Sequence, residues 1–513
     1  MRHKDRGTRA MRNSDVSGFE VPDRDVIFGW IKDMYGLGPR RPGTEADHRC
    51  EDYLAGRLEE MGFSDVKKDP IPIRVWEARE FKLEVAARGA GFEQVESHFI
   101  PYTTFTPESG VEAEMVYVSP KQPQGRALKN VRGKIVVTDI EYPQLDTKML
   151  EKLSFFVHDP TGDVREVSHK AVWVRLNWWI YEQAAAQGAA GFIGILKDHY
   201  RDGQRQYAPY GFKEDDILDK SLPGFWVDRF RGEQLREQAK RGGSRARLLL
   251  RGRLEQGVTH NVSGIIPGET DETYLVGCHH DAPFDSAVED ASGCSIALAT
   301  AHHFSKTREL RRTLMVNFSA GHFYGSIGTR ALIKRNRGGL LDRMALEFHV
   351  EHIARQAIEG PDGDLVVLDS PEPMGGFVTL NRYIRRAIEK AVVEQGMAPT
   401  VLLPPEGPLG AFPPTDGGDY HLEGVPLINF IGCPIYLLNA EDTLDKVATE
   451  YLQPTARAVV SVLRDIDGVP LQRLRRNHYP VRTAAMKLLF HVMQPVARAK
   501  GMAENTLPPE LDV

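Results

Sequence analysis

The chain has 513 residues, which at about 150 per domain allows roughly three domains and is ample to bury a core without a disulfide or structural metal. Its 65 Lys and Arg against 71 Asp and Glu leave a net charge of −6, so the basic footprint of a nucleic-acid partner is excluded. A composition of 27% charged and 41% hydrophobic residues excludes disorder as the main state, and no apolar run reaches the ~18 residues needed to cross a membrane.

Residues 1–23 are polar and lack the apolar stretch of a secretory signal, so they read as a disordered leader and the expected location is cytoplasmic. Four cysteines (Cys50, Cys278, Cys294, Cys433) are too few for a disulfide framework. From residue 24, DRDVIFGWIKDMYGLG spaces its apolar residues as a helix does. After the turn GPRRPGT, Thr44 is placed to cap an amphipathic helix ending at Gly62. FKLEVAA then reads as a strand. Residues 96–255 have a different texture. GKIVVTDI predicts a strand, and EQAAAQGAAGFIGIL a helix, a glycine turn and a strand. Four of the six tryptophans fall here, Trp173, Trp178, Trp179 and Trp226. Trp178 is a candidate wall for substrate.

From 256 the pattern alternates. TYLVGCHHD is an apolar strand ending in His and Asp. SGCSIALATAHHFSK is a helix, RRTLMVNFSAGHFYGS a strand with a glycine-rich turn, and ALEFHVEHIA and GVPLINFIG two more strands. The expected fold is α/β, a mostly parallel mixed sheet with helices on both faces. Residues 24–95 and 256–470 would form this unit, interrupted by 96–255. Residues 471–513 form a helical tail whose RTAAMKLLFHVMQPVARA segment is a candidate homo-oligomer contact.

Seven of the 17 histidines lie between His279 and His352, where even spacing would put roughly two or three. Asp281, Asp285, Glu289, Asp290 and Glu351 are interleaved with them. Imidazole and carboxylate together suit zinc, iron or manganese. In a strand, alternate residues share a face. His349 and Glu351 therefore address one site, and His352 points the other way. By the same rule His279 and Asp281 share a face and His280 opposes them. A ligating histidine needs an acceptor behind it, and Asp281 is the candidate for His279.

GCHHDAPFDSAVEDASG is similar to the co-catalytic zinc aminopeptidase family, of the aminopeptidase Y and glutaminyl cyclase type. That family reads His-x-Asp at a strand end, then Asp-(Asp/Asn)-Ala-Ser-Gly opening a helix. GPRRPGT, TDGGDYHLEGVPLINF and AEDTLDKV resemble its other landmarks. GKIVV and AAAQGAAGFIGI resemble an inserted, β-rich protease-associated domain. The resemblance implies a metallopeptidase-like unit with His279 as a metal ligand, Asp281 as its orienting partner, and Glu289 and Glu351 where the family has aspartate ligands. It also implies departures. The family's paired glutamates, a general base and a ligand, fall on Gly321 and His322. Its last histidine ligand falls on Leu438.

What this implies is a rebuilt, mononuclear centre with one divalent ion, zinc first and iron or manganese as alternatives. His279, Glu289 and Glu351 form the set, which His322 and His349 extend. The base is open between His322, His349 and Asp290, while Asp419 and His421 are candidates for substrate contact. The expected activity is hydrolysis of an amide or related C–N bond in a small amino-acid-like or short peptide-like substrate. Lyase, cyclase or iron-dependent oxidative chemistry, or a non-catalytic metal-binding role, are the alternatives.

Overall fold

The computed structural model describes residues 18–121, 128–162, 164, 167–173, 177–208, 222–407 and 412–499. Most of the expected leader, 1–17, lies outside the described residues. Helix Arg24–Tyr35 buries Ile27, Trp30, Ile31 and Met34, a stripe at helical spacing. Thr44 caps helix Glu45–Glu60 by accepting the Asp47 N–H. Gly62, at φ 74°, takes the left-handed turn that follows.

A long antiparallel ribbon organises the sheet. Strand Ser64–Ala86 pairs with strand Arg245–Ile266 along nearly its whole length. The second of these runs unbroken through the boundary expected at 255/256. Its first residues pair with Val111–Tyr117. That strand opens a parallel group with Ile135–Ile140, Gly191–Leu196 and Gly224–Asp228. The other end of the ribbon pairs with Arg312–Ser319. Beyond it Thr270–His279, Met344–Glu351 and Leu427–Ile431 follow in parallel. Met374–Val378 and Thr400–Leu403 extend the sheet, and Phe156–His158 pairs at its far edge. Residues 96–255 thus contribute strands near both ends of the sheet.

Alternation along Thr270–His279 puts Tyr274, Val276 and Cys278 into one apolar core and Leu275 into another. The first core also takes in helices Arg24–Tyr35, Gly293–Thr307 and Thr449–Ile466. The second takes in helix Ile327–Asn336 and Tyr420. The sheet is therefore covered on both faces, as its continuous apolar strands require. Trp178 corrects the sequence reading. It stacks on Tyr181 at 4.4 Å and packs with Phe192 and Trp226 in a separate apolar cluster, where it is buried rather than lining a site. Helix Pro480–Ala499 leaves Val481, Leu488 and Val492 exposed. Among the described residues no helix is long and apolar enough to cross a membrane.

Candidate metal centre

Three neighbouring parallel strands end side by side at His279, Ser319 and Glu351. Ligands bind beyond the carboxyl ends of such strands, and the polar residues gather there. One atom each from His279, Glu289 and His352 lies within 4.8 Å of the others, and the same holds for His279, His322 and Glu351.

Four imidazoles are fixed in the same way. His279 Nδ1 donates to the Asp281 carbonyl at 3.1 Å, and His352 Nδ1 to the Gly432 carbonyl at 2.7 Å. A carbonyl only accepts, so these two rings carry their proton on Nδ1. His322 Nδ1 lies 2.9 Å from Asp416 Oδ1, and His349 Nδ1 lies 2.9 Å from Glu347 Oε1. On His279, His349 and His352 this leaves Nε2 for the cluster. His279 Nε2 lies 3.2 Å from Glu289 Oε1, His352 Nε2 2.7 Å from Glu289 Oε2, and His349 Nε2 3.1 Å from Glu351 Oε1. These contacts are close but not aligned as hydrogen bonds, and among the described residues the three Nε2 atoms, Glu289 Oε2 and Glu351 Oε1 have no hydrogen-bond partner. Buried donors and acceptors are normally paired. A divalent cation fits a buried set of imidazole nitrogens and carboxylate oxygens left this way.

The carboxylates favour a second proton on these imidazoles, the proton that a bound metal would displace. Burial opposes ionisation of His279, but Asp281 and Glu289 raise its pKa well above the ordinary value. Burial also opposes charge on His352, yet Glu289 lifts it to about 10. Glu289 is held well below the carboxylate range, because His352 and His279 outweigh its burial. Glu351 is likewise lowered by His349 against burial. His322 stacks on His279 with ring centres 4.1 Å apart and planes within 11°.

Other residues hold these groups in place. Asp281 accepts the N–H groups of His322 and Phe323 at 3.1 and 3.2 Å. Asp442 accepts the N–H groups of Val288 and Glu289, both at 2.8 Å. Asp416 accepts from His322, Ser319, Ser326 and Thr329, which engages the roughly four sites of a carboxylate. The Arg40 guanidinium is fully buried and, among the described residues, bonds only to carbonyls, those of Met34, His280, Asp285, Ser286 and Glu289. It pins the loop that joins His279 to Glu289.

The structure brings His279, Asp281, Glu289, His322, His349 and Glu351 together. Asp290 lies 3.8 Å from His279 Nε2, but its oxygens are taken by the Cys278 thiol and the N–H groups of Gly293 and His352. That makes it a positioning residue. Asp419 pairs with Arg330 at 3.2 Å and His421 with Glu406 at 3.4 Å. Neither bonds to the cluster. His280 points to the opposite side, 3.3 Å from Asp47. His352 corrects the alternation argument. Strand Met344–Glu351 ends one residue earlier, and a φ of 58° at His352 turns its ring back toward Glu289. Glu347 is a further acceptor, on the same strand face as His349 and Glu351, and the period of two could have found it. Gly321, at φ 68°, has no room for a side chain: a Cβ there would meet Ile327 Cγ2 at 2.5 Å. Leu438 is buried at φ 61°, and its carbonyl accepts the Tyr207 N–H.

Residues 261–360 match the family model of peptidase family M28. No curated protein matches the chain significantly. Among solved structures, the fold is similar to a zinc aminopeptidase from Bacillus subtilis at 16% identity and a TM-score of 0.61, covering 86% of this chain and 95% of that one. It is also similar to an M28 peptidase precursor from Shewanella amazonensis (18%, TM-score 0.64, 86% and 93% covered). An aminopeptidase from Aneurinibacillus sp. strain AM-1 (19%, TM-score 0.56, 86% and 93% covered) is similar too. The fold is the zinc-aminopeptidase-like α/β fold, with the candidate centre at the carboxyl ends of its parallel strands.

Proposed function

We propose that the protein is a metal-dependent hydrolase of an amide or related C–N bond in a small, amino-acid-like substrate. The observation that carries this reading is the set of four imidazoles, each with Nδ1 engaged by an oxygen. Such second partners fix ring orientation and raise the basicity of the other nitrogen, as metal-ligating histidines require. The peptidase family match and the aminopeptidase folds support the reaction class. His279, Glu289 and His352 would hold one divalent ion, with zinc the first choice and Glu351 beside them, in the group that His279 forms with His322. When bound, such an ion polarises a carbonyl and lowers the pKa of water to about 7.

His322 would move the proton. Asp416 holds its Nδ1 at 2.9 Å, which orients Nε2 and stabilises the charge formed when the ring accepts a proton. Asp281 fixes the backbone on which His322 sits, and Asp290 fixes the backbone of His352. With Gly321 unable to carry a carboxylate, the His322–Asp416 pair would stand where the resembled family has its glutamate base. Residues 96–255 would serve as an inserted, protease-associated-like unit beside the centre.

The test is elemental analysis of protein purified without added metal or chelator, followed by a screen of small amides. About one zinc per chain, with metal and turnover both lost in His279→Ala, is the expected result. Full activity in His279→Ala sinks the reading. One observation favours a second reading. His279, Glu289 and His352 form a two-histidine, one-carboxylate set, a geometry used for iron-dependent oxidative chemistry. Iron content with oxygen-dependent turnover would establish it instead.

A further inference from the structure

The loop from Asp281 to Glu289 carries Phe284, which is flanked by two arginines. The guanidinium carbons of Arg41 and Arg205 each lie 5.8 Å from the centre of its ring. Arg41 also lies 5.0 Å from the Tyr207 ring and 5.5 Å from the Phe99 ring. Its Nε donates to the Pro283 carbonyl at 2.8 Å, which fixes the plane of the group and leaves the edge of its two terminal nitrogens. Among the described residues, neither Arg41 nor Arg205 has a carboxylate within ion-pair distance.

The pair sits beside the centre. Tyr207, against which Arg41 packs, has its ring 5.7 Å from Phe323, and Phe323 lies 6.0 Å from His279. The Ala440 N–H donates to the Arg205 carbonyl, two residues from Asp442, which holds Glu289. The positive field is felt locally. Burial lowers the pKa of His98 well below its ordinary value, and Arg41 and Arg205 lower it further. Asp281 in turn helps raise the phenols of Tyr102 and Tyr207, after burial, so the cationic wall and the centre are within electrostatic reach.

From this arrangement we infer that Arg41 and Arg205 form a carboxylate-binding subsite, and that the substrate carries a carboxylate apart from the bond that is cleaved. The inference rests on the hydrolase reading above. A planar guanidinium with two free terminal nitrogens matches a carboxylate in a bidentate way. Aromatic faces hold the guanidinium flat and keep it in register. The carboxylate has two sources, the α-carboxylate of an amino acid or an acidic side chain.

The test is calorimetric binding to the full chain, as purified and after dialysis against a chelator. N-acetylalanine carries only an α-carboxylate, N-acetylisoglutamine only a side-chain carboxylate, and N-acetylalaninamide neither; inorganic phosphate is the fourth probe. One of the two acids is expected to bind, and its identity names the source. Arg205→Met, at an exposed position, and Arg41→Met should each weaken that acid by about tenfold or more. Arg41→Lys should recover part of the loss in Arg41→Met, since lysine keeps the charge. Binding by neither acid, equal binding of the neutral amide, or indifference to both arginine changes overturns the inference. So does tighter binding of phosphate that the arginine changes abolish. The two readings fail separately. Acid binding without hydrolysis removes the reaction and keeps the subsite, and hydrolysis of carboxylate-bearing amides unchanged in both variants does the reverse.

Discussion

At His352 the backbone takes a φ of 58°, and this one dihedral decides where an imidazole goes. Strand geometry would carry the ring to the far face, and the turn brings it to 2.7 Å from Glu289. His352→Gln should therefore weaken metal binding by about 10- to 100-fold, read by competition with a chromophoric chelator. An unchanged affinity would return His352 to a structural role. Gly321 is the converse case, a position that accepts no side chain. Its φ of 68° and the 2.5 Å approach of Ile327 Cγ2 both oppose a Cβ. Gly321→Ala should cost about 1 kcal/mol or more in urea unfolding, and Gly321→Glu should not create a working base. Neither position declares itself in the letters alone, because the sign of φ leaves no mark in an alternating pattern.

Elements and their junctions explain what was legible in the sequence. The Thr44 cap, the helix it starts and the strand–helix alternation after 256 follow from local chemistry, so they could be read directly. The ribbon Ser64–Ala86 with Arg245–Ile266 could not, because its pairing joins residues far apart in the chain. His279, Glu289 and Glu351 were readable as a set through the motif around them. Asp281 was readable behind His279, but not that its backbone carbonyl is the acceptor, and the Gly432 carbonyl behind His352 left no mark in the sequence. The same limit hid Arg40, which ties the end of the first helix to the 280–289 loop through carbonyls only. Arg40→Met should lower stability by about 3 kcal/mol or more, because several buried carbonyls lose their donor. A loss below about 1 kcal/mol in urea unfolding would show that the loop finds other donors.

Helix Glu45–Glu60 is tied to the ribbon by a charged group. Glu51 accepts the His260 N–H at 2.8 Å and lies within 3.1 Å of His48, His260 and Lys68. Burial opposes its charge, but His280, His48, Lys68 and His260 lower its pKa from 4.5 to about 2, with Asp47 and Asp52 the nearby acids. A lowered folded pKa contributes stability that is present above pH 4.5 and is lost as the pH falls toward 2. For Glu51 this is about 3 kcal/mol. Glu51→Gln should thus destabilise the protein at pH 7, and the gap to the parent should close between pH 4.5 and 2. A gap constant across that window would remove Glu51 from the account.

At the scale of the whole molecule, a ligand that binds only the folded chain raises its unfolding midpoint. Zinc at about 100 times its dissociation constant should add about 2.7 kcal/mol, and a chelator should remove it. Scanning calorimetry with and without chelator checks this, and no shift would mean the cluster holds no ion. The ribbon has a further consequence, for biosynthesis. Its first strand, Ser64–Ala86, leaves the ribosome long before Arg245–Ile266. Until then its backbone lacks the partner that covers most of its length, and such edges invite pairing with other chains. The centre matures later still, because Glu351 follows the ribbon and Asp442, which positions Glu289, comes after that. Nascent chains are therefore most vulnerable to aggregation before residue 266 emerges, and the proposed metal centre could be completed only once Asp442 has been made.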